Sequence, residues 1–207
     1  MFIELVELLR CIRDHDESWL VASIDELHER DIVRGRLGCP VCQAEYPVVE
    51  AVVDFSGAGV SPALPSCADS ADDIALRAGA FLGLGETTGT VVLGGSWAMG
   101  APQLLRATEA RVFAANAAAV EDEGAVGRVL VENAMPFAAS SCAGVALDGS
   151  FNQRILESAV RVLRPGGRMV GPASLPLPAG VVLLAEDADW WVAEKPPEVT
   201  TLRRGNR

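Results

Sequence analysis

Residues Arg161–Gly171 read RVLRPGGRMVG, and this stretch decides the fold. Just upstream, FNQRILESAVRVL (151–163) sets Ile155, Leu156, Ala159, Val160 and Leu163 on one apolar stripe at helical spacing. Pro165 cannot continue a helix, and the glycines after it permit a positive φ. The spacing therefore predicts a helix that stops on Pro165-Gly166-Gly167, and a short strand that starts with GRMVG.

Working outward, the same alternation repeats. Ser70 and Asp73 have the spacing of a capping box ahead of IALRAGAFLGLG, in which Ile74, Ala78 and Phe81 share a face. TVVLGG (90–95), RVFAAN (111–116), GRVLVEN (127–133) and CAGVALDG (142–149) read as short apolar strands, with a helix at APQLLRATEA (101–110). GVVLLAED and DWWVAEK read as a closing hairpin, marked by Trp190 and Trp191. Strands that alternate with helices need crossovers, so the fold class is α/β with a mostly parallel, Rossmann-like sheet. Such a sheet binds its ligand at the strand C-termini, near the first glycine-rich turn.

The first 56 residues differ. They carry Cys11, Cys39, Cys42, both histidines and a dense mix of charges, and are expected to form a small β-rich module. Residues 57–70, rich in Gly, Pro, Ser and Ala, read as a linker. The α/β domain then spans 71–197, and 198–207 reads as a flexible basic tail. Cys39-x-x-Cys42 lets two thiolates reach one ion, and Cys11 supplies a third. The fourth ligand is Asp14 or His15, so the expected metal set is Cys11, Asp14, Cys39 and Cys42, with His15 as the substitute for Asp14. A redox pair and a metal-free module are the competing readings. Cys67 and Cys142 read as small, partly buried residues. His28, in IDELHERD, reads as a solvent-facing residue on a helix.

The 207 residues are half hydrophobic and carry a formal net charge of −11. That field disfavours nucleic acid. No apolar run reaches a membrane span and no basic leader opens the chain, which points to a cytoplasmic protein.

Two resemblances add to this. LLRCIRD, with DIVRGRLGCPVCQAEYPVVEAVVDF, resembles over about residues 5–55 the small zinc-ribbon family that includes the activator subunit of tRNA and protein methyltransferases. Ile12, Asp14 and Ala51 stand where that family has Pro, Cys and Gly. A ribbon of that kind acts by docking on a methyltransferase, so the resemblance implies zinc and a methyltransferase partner or self-association. Met135-Pro136-Phe137, followed by Val162–Gly167, resembles class I S-adenosylmethionine-dependent methyltransferases over about residues 72–195.

The second resemblance implies a cofactor site at Gly94, Gly95, Ser96, Asn116 and Asn133. The family has carboxylates at three places where this chain has Val92, Asn116 and Asn133. Ser96 and Ala98 replace further glycines, and Trp97 and Met99 add bulk. A neutral amide loses the charge-assisted bonds to the ribose, each worth about 1.5–3 kcal/mol. Asp148 is the one acid after the fourth strand and no histidine lies beyond position 28, so no catalytic residue is identified. Trp97 reads as a plug in the cofactor cavity or as a stacking platform. The expectation is a catalytically degenerate, methyltransferase-like binding or regulatory subunit. The alternative is an active S-adenosylmethionine-dependent methyltransferase.

Overall fold

The computed structural model describes residues 1–57, 60, 69–85, 89–117 and 126–197. Cys67, most of the expected linker and the expected tail lie outside the described residues.

One mixed sheet of 11 strands runs through the molecule. Its middle is parallel. β5 (Thr90–Gly94), β6 (Arg111–Ala115), β7 (Gly127–Leu130), β8 (Cys142–Ala146) and β9 (Leu163–Pro172) stand in the order β7-β6-β5-β8-β9, every neighbour parallel. β10 (Val182–Glu186) and β11 (Trp190–Glu194) form the expected hairpin, with β11 inserted antiparallel against β9. β5 and β8 are buried at every position, as a central parallel strand with both faces covered requires.

The N-terminal strands continue the same sheet. β1 (Val21–His28), β2 (Asp31–Gly38), β3 (Glu45–Val49) and β4 (Val52–Asp54) form an antiparallel meander, and β4 then pairs parallel with β7, Val53 opposite Val129. His28 therefore ends a strand rather than sitting on a helix. Ile24 and Leu27 have helical spacing, but pairing with β2 outweighs it, at the cost of bulges around Glu26. The β3–β4 turn puts Glu50 and Ala51 at φ of 50° and 62°, the left-handed region that two-residue hairpin turns demand.

Helices cover both faces. On one side lie α1 (Ala71–Leu82) and α2 (Ala101–Ala107), around Ile74, Ala78, Val91, Leu93, Trp97 and Leu104. Ser70 accepts a bond from the Asp73 N–H at 3.2 Å and its hydroxyl donates to the Asp73 carboxylate at 2.7 Å, so the α1 cap forms as expected. On the other side, α3 (Gln153–Val162) packs Ile155, Leu156 and Ala159 into a core that also holds Leu9, Leu37, Tyr46 and Phe55 of the first 56 residues. The N-terminal segment and the parallel sheet thus share one apolar core.

The Pro-Gly-Gly segment differs from expectation. α3 ends at Val162 and β9 begins at the next residue, Leu163 pairing with Cys142. Pairing resumes at Arg168 opposite Gly144, so Arg164–Gly167 is a bulge within the strand, not a turn ahead of it. Gly166 sits there at φ 75° with its N–H bonded to the Lys195 carbonyl at 2.8 Å. What stops the helix is tertiary. The Lys195 ammonium donates to the Val160 and Leu163 carbonyls, at 2.9 and 2.7 Å, and satisfies the helix end.

Candidate metal centre and cofactor turn

Cys11, His15, Cys39 and Cys42 converge, with their ligand atoms all within 4.8 Å of one another. Cys11 and His15 come from the loop before β1. Cys39 and Cys42 flank the tight turn after β2, which the Gln43 N–H closes onto the Cys39 carbonyl at 3.0 Å. The His15 Nε2 lies 3.2 Å from the Cys11 Sγ and 3.4 Å from the Cys39 Sγ, and the Cys11 and Cys42 sulfurs are 3.6 Å apart. A tetrahedral ion with bonds of about 2.0–2.3 Å has donor–donor edges of roughly 3.3–3.8 Å, so three thiolates and one imidazole fit zinc here. The two sulfurs are well beyond the ~2.05 Å of a disulfide.

The surroundings orient this set. The His15 Nδ1 lies 2.6 Å from the Asp16 carbonyl, which fixes the ring and turns Nε2 toward the sulfurs. That same contact raises the His15 pKa. Burial pushes the Cys39 thiol up, but bonds from the Cys42 and Val41 backbone N–H groups outweigh it and bring it down to about 6. Burial raises the Cys11 thiol, whose sulfur lies 3.1 Å from the Tyr46 hydroxyl. Asp14, the neighbour of His15, is exposed and is not in the cluster. Of the two open candidates for fourth ligand, the loop brings His15 to the sulfurs. Cys142 is not in this cluster; it is fully buried, with its thiol pushed up to about 12 by burial.

Of the expected cofactor residues, Ser96 and Asn133 line two separate cavities among the described residues. Val92 points into the apolar core. A Cβ on Gly94 would lie 2.6 Å from Leu147 and Phe151, so that glycine is required by packing. Gly95 sits at φ 62°, and a Cβ there would lie 2.2 Å from both Asp148 carboxylate oxygens. Asp148 accepts the Ser96 N–H at 2.6 Å and the Ser150 N–H at 3.0 Å. Its carboxylate is thus seated on the glycine turn. Asn116, at φ 56°, spends its amide on Val131, donating to the carbonyl and accepting the N–H at 2.8 Å each. Asn133 is exposed and lines a cleft of about 390 Å³ with Arg13, Tyr46 and Phe55. Ser96 lines a different cavity of about 400 Å³, beside Trp97 and Trp190. Trp97 is 2% exposed and packs edge-on against Phe81 and Trp190, with centroids at 6.2 and 5.0 Å.

The two motif segments behind the methyltransferase resemblance touch each other. Arg161 donates to the Met135 and Phe137 carbonyls at 2.9 and 3.0 Å, and the Ser158 hydroxyl accepts the Met135 N–H. The N-terminal segment clamps the same turn. The Arg10 N–H donates to the Pro136 carbonyl at 2.8 Å, Leu9 bridges Phe137, and the Glu17 carboxylate reaches Arg10, Arg161 and the Ala139 N–H. Sequence reasoning missed both this clamp and the Asp148 seat. The residues were visible, but the pairs that join them across the fold are 52 to 144 positions apart.

No family model matches this chain, and no curated protein does. Among solved structures, the antibiotic-resistance methyltransferase Kmr aligns at 15% identity over 64% of this chain and 97% of its own, with a TM-score of 0.41. Geranyl diphosphate C-methyltransferase from Streptomyces coelicolor A3(2) aligns at 21% identity over 47% of this chain and 41% of its own, with a TM-score of 0.37. A probable spermidine synthase from Corynebacterium glutamicum ATCC 13032 aligns at 14% identity over 77% of this chain and 62% of its own, with a TM-score of 0.36. Likeness this slight carries no argument about activity. Among the described residues, no helix is long and apolar enough to cross a membrane.

Proposed function

We propose that this chain is a methyltransferase-like protein that has given up its cofactor and serves as a binding or regulatory subunit, with a zinc-ordered N-terminal module docked on its own sheet. The observation that carries the reading is the Asp148 carboxylate on the Gly95–Ser96 turn. Such a turn serves a cofactor through open backbone N–H groups and the space above its glycines. Here the Ser96 N–H is bonded and the space over Gly95 is filled by an anion. Asn116 likewise commits one amide N–H and its carbonyl oxygen to Val131.

Zinc would be held by Cys11, His15, Cys39 and Cys42. Four protein ligands close the coordination sphere, so the ion supplies folding energy and rigidity rather than an activated water. The parallel pairing of β4 with β7 supports docking in cis: the module's last strand spends its outer edge on the chain's own sheet. A partner, or a second copy, then has to use another surface.

Calorimetry with S-adenosylmethionine and S-adenosylhomocysteine on the zinc-loaded protein tests the reading. The expected result is no saturable heat up to about 1 mM ligand. Micromolar binding of either would overturn it in favour of an active methyltransferase, and would require Asp148 to leave the turn.

A further inference from the structure

We propose that the cavity between α1 and the β10–β11 turn is a binding site for a small organic cation, a protonated or quaternary amine. The cavity has a volume of about 400 Å³, and its walls include Trp97, Trp190, Asp69, Asp189 and Arg77. Two features of these walls point to that ligand class.

The first is aromatic. Trp97 and Trp190 meet edge-to-face at 5.0 Å and both line the space, and an indole ring attracts a cation to its face. The second is charge. Arg77 is paired with Asp69 at 2.9 Å, which leaves Asp189 as the uncompensated charge on the wall. Among the described residues, no cation lies within ion-pair distance of Asp189. The acidic field of the whole chain draws cations in the same direction.

The turn that presents the outer wall is held in place. Asp187 accepts the N–H groups of Asp189 and Trp190 at 2.8 Å each, and the Ala173 N–H bonds the Asp189 carbonyl at 2.9 Å. The site is therefore largely formed before a ligand arrives, which lowers the ordering cost of binding. An anion on Arg77 is the opposite reading. It is disfavoured because Asp69 already neutralises that guanidinium and Asp189 faces the same cavity.

Choline, which carries both a quaternary ammonium and a hydroxyl, is the probe, and 3,3-dimethylbutan-1-ol is its neutral isostere. Titration of the full chain followed by calorimetry and tryptophan fluorescence should show saturable choline binding, with the neutral alcohol at least about tenfold weaker. Asp189→Asn, at an exposed position that leaves the fold intact, should weaken choline roughly tenfold, and Trp190→Ala should weaken it further. Equal binding of the two probes, no saturation by about 10 mM choline, or indifference to Asp189→Asn would each overturn the proposal. Cofactor binding is read separately from these titrations, so its outcome and this one are distinguishable.

Discussion

The N-terminal cluster and the glycine turn both collect polar groups at the ends of strands, yet they treat those groups oppositely. At the cluster, three thiols and an imidazole converge with separations of 3.2–3.6 Å, while the Tyr46 hydroxyl and the Asp16 carbonyl hold Cys11 and His15 from behind. Repulsion between thiolates and the burial of Cys39 make that arrangement unfavourable without a cation. At the turn, several groups are met from inside: the Ser96 N–H by Asp148, Asn116 by Val131, the Gly94 face by Leu147 and Phe151. The first arrangement suits a bound cation; the second suits the proposal that this turn serves the fold.

Removing the metal should break this comparison most severely. Cys42→Ser at an exposed position changes little volume, and should take zinc from about one per chain to near none by elemental analysis, with a large fall in thermal midpoint. The metal-stripped chain should also respond to pH through Cys39. Its folded pKa of about 6 lies below the ordinary thiol value of 9.0, so its contribution to stability is full above pH 9 and lost as pH falls through 6. The thiolate absorbance of the stripped protein should therefore show a step near pH 6 that Cys39→Ser removes, and its absence would contradict that assignment.

Asn116→Ala tests the other side of the comparison. It removes two bonds to Val131 and places alanine at φ 56°, for a loss of about 2 kcal/mol in urea unfolding. Zinc content should not change. A variant as stable as the parent would mean the amide is not structural and would reopen a ligand role. The smallest effect is expected for Asp14→Asn, which should leave zinc affinity within about twofold; a larger loss would bring Asp14 into the ligand set in place of His15.

Local signals in the sequence were enough for much of this. The Ser70–Asp73 cap, the apolar strands and the closing hairpin are local or short-range patterns, and each appears where the residues place it. Three thiol ligands were legible from Cys39-x-x-Cys42 and Cys11. The choice between Asp14 and His15 was not, because adjacent residues are separated only by how the loop bends, and the Asp16 carbonyl decides that. The Pro-Gly-Gly segment misleads for a related reason. Proline and glycine announce a break in a helix, but whether the break is a turn or a bulge depends on β8 and on Lys195, which no local window contains. Asp148 was visible as an acid beside a glycine-containing loop. That it would seat on Gly95, on a neighbouring strand's end, follows only from the β5–β8 register.

The parallel pairing of β4 with β7 also sets an order of events during synthesis. The thiols, the imidazole and the β1–β4 meander are complete by residue 54, so the metal can be captured early. The outer edge of β4 then waits, with unpaired backbone groups, until residues 127–130 have been made and have left the ribosome. With zinc bound, the meander would in this sense be a template laid down ahead of the sheet that grows onto it, and its open edge a point of exposure to mispairing.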